Sequence, residues 1–115
     1  MAGKLTTHVL DTVLGLGAAA MRVTWRRVTP YPTKSYDVEL DGGGRATLIP
    51  GPELIPGVYE IVFLVGEYHR SLALLPTEQP FLDEVPVRFG ISDPDAHYHI
   101  PLVVSPFGYS THRGA

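Results

Sequence analysis

Short alternating runs dominate the chain. Leu5 to Leu10 places Leu5, Thr7 and Val9 on one side and Thr6, His8 and Leu10 on the other, the period-two pattern of a half-buried strand. Met21 to Val28 alternates Met21, Val23 and Trp25 against Arg22, Thr24 and Arg26, and Pro30-Tyr31-Pro32 ends it. Ser35 to Leu40 and Arg45 to Ile49 are two further strands, separated by the flexible turn Asp41-Gly42-Gly43-Gly44. Val58 to Val65 is the most apolar run and is predicted to be central. Val85 to Ile91 carries Val85, Val87, Phe89 and Ile91 on one face. Its Pro86 lacks a backbone donor, which points to a sheet edge or a bulge. From His97 onward the chain reads as a hairpin turning at Ser105-Pro106. Gly15 to Ala20 is predicted to be a loop. The one helix is predicted over Gly66 to Leu75, with Tyr68, Leu72 and Leu75 at helical spacing and Pro76 as its stop. Seven or eight short strands with one short helix predict an all-β antiparallel sandwich.

At 115 residues the chain is expected to form a single domain, residues 1–115, large enough for one core without staples. The 12 glycines and 11 prolines are scattered as turn punctuation rather than as a repeat, which fits a strand-rich fold better than disorder. With no cysteine, disulfides and thiolate metal sites are excluded. The N-terminal residues hold no signal-like apolar run, and Val58 to Leu64 is too short to span a bilayer, so a cytoplasmic location is expected. Net charge is −3, and the only basic cluster is Arg22 with Arg26-Arg27. Neither a nucleic-acid nor a membrane-surface partner has support.

The candidate chemistry is histidine. In the last hairpin, Tyr98, Ile100 and Leu102 read as core, so His99, Pro101 and Val103 face away from it. In the second arm Ser110, His112 and Gly114 share a side. If the arms pair, His99 and His112 line one non-core face, and His8 lies on the polar side of the first strand. A face of His, Ser and Gly does not pack like a core; it suits a solvent-lined groove or a wet interface between subunits. Imidazole titrates near neutral pH and suits general acid or base work. Arg45, after three glycines, offers a fixed charge and a planar fork of donors for a ring oxygen or an oxyanion, although a solvated turn arginine is its ordinary role. His97 and His99 have the two-apart spacing of metal-ligand pairs, yet no third ligand is near in sequence and no HExxH occurs, so no metal is expected. A Ser-His-Asp triad has no recognisable context at Ser105 or Ser110. Asp83, Glu84 and Arg88 read as solvated edge-strand charges, and Trp25 and Phe89 as core.

The segments LTTHVLDT (5–12), GGR (43–45), FLDEVPVRFGISDPDAHYHIPLVVSPFGYST (81–111) and HRGA (112–115) resemble the 5-hydroxyisourate hydrolases, the enzyme branch of the transthyretin-like family, essentially end to end. The resemblance implies an eight-stranded transthyretin-like sandwich with one short helix. It also implies a homotetramer, a dimer of dimers with active sites in the channel between dimers, and no cofactor. The implied activity opens the six-membered ring of 5-hydroxyisourate by hydrolysis to 2-oxo-4-hydroxy-4-carboxy-5-ureidoimidazoline, the step after urate oxidation. The family's catalytic first-strand histidine falls on His8, its arginine after the glycine turn on Arg45, and the second histidine of its HYH motif on His99. Substrate binding is expected at His8, Arg45, Ser110, His112, Arg113 and Gly114. The sequence departs from the family at its tail. Where the hydrolases end in Tyr-Arg-Gly-Ser, this chain has His112-Arg113-Gly114-Ala115; imidazole can replace a titrating donor, but Ala115 cannot replace a serine hydroxyl. A non-catalytic binder of small aromatic ligands in the same channel is the alternative reading.

Overall fold

The structure, a computed structural model, describes residues 3–73 and 79–114. The element order is β1 (Lys4–Asp11), β2 (Leu16–Gly17), β3 (Arg22–Thr29), β4 (Tyr36–Glu39), β5 (Arg45–Ile49), β6 (Gly57–Phe63), α1 (Val65–Ser71), β7 (Val85–Ile91), β8 (His97–Ser105) and β9 (Gly108–Thr111). Two sheets form the sandwich. One runs β4-β3-β6-β7; the other runs β2-β1-β8-β9, with β5 also paired to β1. β5 takes the Leu5 to His8 end of the β1 edge and β2 takes Leu10 and Asp11.

The alternation in the sequence becomes the core directly. β1 buries Leu5 and Val9, and β8 buries Tyr98, Ile100, Leu102 and Val104. The facing sheet buries Val23, Tyr59, Ile61, Phe63, Val85 and Ile91. Fully burying one such side chain stabilises the fold by roughly 1.5–3 kcal/mol, so a one-residue slip of any strand, which would turn this set to solvent, is strongly disfavoured. β6 is interior as expected, and Pro86 lies in β7 at the sheet edge. Trp25 and Phe89 pack against the core.

Several expectations are corrected. The sandwich is not wholly antiparallel: β1 and β8 pair in parallel, from Lys4 opposite His97 to Asp11 opposite Val104. No hairpin joins these two strands, so no turn chemistry could reveal their direction. Within the Gly15 to Ala20 segment, Leu16 and Gly17 form β2, a two-residue strand too short to show a period. The apolar run read as a strand to Val65 breaks at Leu64, which begins α1. The helix closes at Leu72 with bonds from Leu72 N–H to His69 O (3.2 Å) and from Ala73 N–H to Arg70 O (3.0 Å). Leu72 is therefore exposed, and the core side of α1 is Val65, Tyr68 and His69. Leu75 and Pro76 lie outside the described residues. The turn of the last hairpin is Pro106-Phe107, since Ser105 pairs with Gly108.

One polar contact fixes α1 to the sandwich. The Asp11 carboxylate is buried. It accepts the Tyr68 hydroxyl (2.7 Å) and the N–H groups of Val13 (2.8 Å) and Leu14 (3.1 Å). Burial first, then that bond and the Asp11 charge, push the Tyr68 phenol well above its usual range.

Candidate active site

The outer face of the β2-β1-β8-β9 sheet collects the candidate residues. Because β1 and β8 run parallel, Thr6 stands opposite His99 and His8 opposite Pro101. The antiparallel pairing of β1 with β5 sets His8 opposite Arg45 and Thr6 opposite Thr47. Past the last hairpin, Gly114 bridges to His99. Paired residues share a face, so Thr6, His8, Arg45, Thr47, His97 and His99 project together. A cleft of about 340 Å³ opens there, lined by Thr6, Thr7, Asp41, Arg45, Ala46, Thr47, His97 and His99.

Each side chain is held by something local. His8 Nε2 donates to the Gly43 carbonyl (3.1 Å), which leaves Nδ1 as the free acceptor of the neutral ring. That carbonyl is presented by the Asp41 to Gly44 turn. Gly44 has φ +76°, and a Cβ there would lie 2.6 Å from both Ala18 N and Val9 O, so only glycine fits. Asp41 Oδ1 accepts the N–H groups of Gly43 and Arg45, each at 2.9 Å. The backbone donor from Arg45, then that from Gly43, holds the carboxyl below its usual range. The carboxylate braces the turn through Oδ1 and also interacts, more weakly, with the charges of Arg45 and His8. Among the described residues, the Arg45 guanidinium makes no ion pair.

His99 is the most constrained group. Its Nδ1 lies 2.7 Å from Thr6 Oγ1, and Thr6 Oγ1 is also 2.7 Å from His97 Nε2. On the other flank Gly114 donates its N–H to the His99 carbonyl (2.7 Å), and a Cβ on Gly114 would lie 2.7 Å from His99 Cδ2. With Nδ1 bound and Cδ2 covered, Nε2 is the nitrogen left for chemistry. Burial, followed by the positive charges of His97, His8, Arg45 and His112, lowers the His99 pKa, so the ring is neutral at pH 7.

The remaining candidates are placed less centrally. His112 is exposed and near enough to His99 to act on its charge. Ser110 stands opposite Val103 on the same face, four residues along β8 from His99, roughly 13 Å at strand rise. The Arg113 guanidinium lies 4.2 Å above the Tyr98 ring, on the opposite side of the strand from His99, and so anchors the tail rather than lining the cleft. Ala115 is outside the described residues. Thr6, Thr47, Asp41 and His97 also line the cleft; of these only His97 stands out in the sequence, as half of a metal-ligand spacing with His99. The same Thr6-His8 alternation that exposes His8 exposes Thr6, but only the parallel pairing brings it to His99. No group of three or more His, Cys, Asp or Glu that could hold a metal ion occurs among the described residues. No described helix is long and apolar enough to cross a membrane.

Residues 5–114 match the profile of the HIUase/Transthyretin family. The chain belongs to that family. It is 42% identical over 116 residues to 5-hydroxyisourate hydrolase 2 of Rhizobium meliloti (strain 1021), covering 98% of this chain and 97% of the relative. Among solved structures, a crystal structure of (S)-allantoin synthase superposes with a TM-score of 0.92 at 42% identity over 99% of this chain. The chain spans only 44% of that protein's length. Sea bream transthyretin, solved in complex with thyroxine, superposes with a TM-score of 0.82 at 26% identity, covering 97% of this chain and 95% of the other. The transthyretin-like sandwich with one short helix is thus the fold of this family member, with a two-residue ninth strand beyond the eight expected.

Proposed function

We propose that this protein is a cofactor-independent 5-hydroxyisourate hydrolase. It opens the six-membered ring to give 2-oxo-4-hydroxy-4-carboxy-5-ureidoimidazoline in urate degradation. The observation that carries the reading is the meeting of His8, Arg45 and His99 on one sheet face beside one cleft, in a chain 42% identical along nearly its whole length to a 5-hydroxyisourate hydrolase. Water attacks the ring carbonyl of the N1–C6 amide. His8, through Nδ1, and His99, through Nε2, act together on that water, one taking its proton and the other holding it. Arg45, with no ion pair of its own, binds ring heteroatoms and stabilises charge building on oxygen. His112 and Gly114 shape the floor beside His99, Arg113 holds that tail on Tyr98, and Ser110 extends the binding face.

The working assembly is a dimer of dimers, with this face turned into the channel between dimers, and the single domain of residues 1–115 acts in the cytoplasm. In support, the site residues Thr6, His8 and His99 stay half-buried and Arg45, Ser110 and His112 exposed in the isolated chain. Sedimentation reporting a tetramer tests the assembly, and a monomer with full turnover refutes it. The reaction is tested by generating 5-hydroxyisourate with urate oxidase in the cuvette and following its ultraviolet absorbance. Decay well above the spontaneous rate is expected. A binding-only reading is favoured by one observation, the thyroxine complex of sea bream transthyretin. Saturable binding with no accelerated decay would establish it instead.

A further inference from the structure

Thr6 touches two histidines with one hydroxyl, and a hydroxyl has a single proton. Oγ1 lies 2.7 Å from His97 Nε2 and 2.7 Å from His99 Nδ1, so it cannot donate to both. If it donates to His97, then His99 must donate its Nδ1–H to Thr6, and His99 Nε2 carries a lone pair. If it donates to His99, then His97 donates to Thr6, and His99 Nε2 carries a proton. When the hydroxyl donates to one ring and accepts from the other, the protonation of the nitrogen facing the cleft is tied to that of a ring on the surface. His97 is exposed, whereas His99 is half-buried.

We propose that His97, Thr6 and His99 form a proton relay that switches His99 Nε2 between base and acid and connects it to solvent through His97. The inference rests on the hydrolase reading of the same site. Its proton count closes. As water attacks, its proton passes to His99 Nε2, the His99 Nδ1 proton passes to Thr6 Oγ1, and the original Thr6 proton passes to His97 Nε2. The water oxygen bonds to the ring carbonyl carbon, His99 stays neutral, Thr6 ends with one proton, and His97 becomes the cation. When the C–N bond breaks, His99 Nε2 returns a proton to the departing nitrogen and the relay runs backward. The relay moves the positive charge off half-buried His99, which already lies near the fixed charge of Arg45. His97 carries that charge in solvent, where it is well hydrated. His97 and Thr6 touch no substrate in this scheme; they act through His99.

The test compares Thr6→Val, which keeps the shape and removes the hydroxyl, Thr6→Ser, which keeps the hydroxyl, and His97→Gln. Each is assayed for kcat, KM and the dependence of kcat on the deuterium fraction of the solvent. Thr6→Val and His97→Gln should each lower kcat at least about 10-fold, within the range of general acid–base contributions, with KM within about twofold. The double variant should lose no more than either single one, since the two act as a unit. The wild-type isotope dependence should be curved and that of the two variants linear, and Thr6→Ser should restore both the rate and the curvature. Wild-type kcat and curvature in Thr6→Val would overturn the relay. His99→Ala separates the two failures. If it too keeps full activity, the hydrolase site is misassigned; if it is inactive while Thr6→Val is normal, only the relay is lost.

Discussion

On the outer face of the β4-β3-β6-β7 sheet, Glu60 stands between Arg26 (3.3 Å) and Arg88 (3.1 Å), and Arg22 pairs with Glu67 (3.2 Å). On the outer face of the other sheet, five groups that are or can become cationic, His8, Arg45, His97, His99 and His112, share one region, and the nearby carboxylate of Asp41 is occupied by backbone N–H groups. On the first face every one of these groups has an opposite charge within the chain, with three arginines sharing two carboxylates. On the second, burial first and then the neighbouring charges keep His99 neutral, and among the described residues Arg45 has no ion pair, which suits an electron-rich ligand. The two faces belong to one sandwich and use the same strand alternation. What separates function from solvation here is whether the opposite charges were supplied by the protein.

The comparison breaks most severely at the second face. His99→Ala and His8→Ala should each lower kcat by ~10²–10⁴-fold, the usual worth of a positioned acid or base. A loss of less than a few-fold in both, in steady-state assays, would remove that face's claim to the chemistry. A smaller effect, on stability, is expected inside the molecule. His69 is fully buried on the core side of α1 and neither ring nitrogen has a hydrogen-bond partner among the described residues. Desolvation lowers its pKa, with the Asp11 charge a partial offset. Below the ordinary imidazole pKa of ~6.5 the unfolded chain takes up this proton and the folded one resists it. Stability should therefore fall as pH drops from 7 toward the depressed folded value. His69→Leu should gain about 1–3 kcal/mol by removing the unsatisfied group and should flatten that slope, as denaturant titrations at pH 7 and pH 5 would show. The smallest effect belongs to the paired face. Glu60→Gln should cost no more than about 1 kcal/mol, since both arginines reach solvent. Activity should be unchanged. A large loss of turnover would mean that the two faces are not independent.

Much of this contrast can be read from the sequence, and what cannot has a common cause. Arg45–Ile49 and Val85–Ile91 have the bounds that alternation and the Gly and Pro punctuation predicted. His8 and His99 sit on the outward sides that period two assigned them, because burial of Leu5, Val9, Ile100 and Leu102 leaves no other choice, whereas Arg45 is placed by the pairing of β5 with β1. Thr6 was invisible as a site residue, and His97 visible only as half of a metal pair, because their contacts with each other and with His99 depend on β1 lying parallel to β8, a pairing that no local signal encodes. The core histidine of α1 was missed in favour of Leu72, because the helix ends one residue before the leucine that spacing had placed inside it. Arg113 looked like part of a pocket because it adjoins His112 and Gly114. Alternation carries it to the Tyr98 side of the strand.

The parallel pairing of β1 with β8 has a consequence for synthesis. Thr6 and His99 are 93 residues apart, and domains with such distant pairings fold slowly. The strand bearing His8 is made long before the strand bearing His99. Until β8 is released and docks, the nascent chain lacks the face that joins Thr6 to His99 and has an unpaired β1 edge that other chains can recruit. Assembly of this face is therefore a report on the docking of β8, and the interval before it is when β1 is most exposed to misassembly.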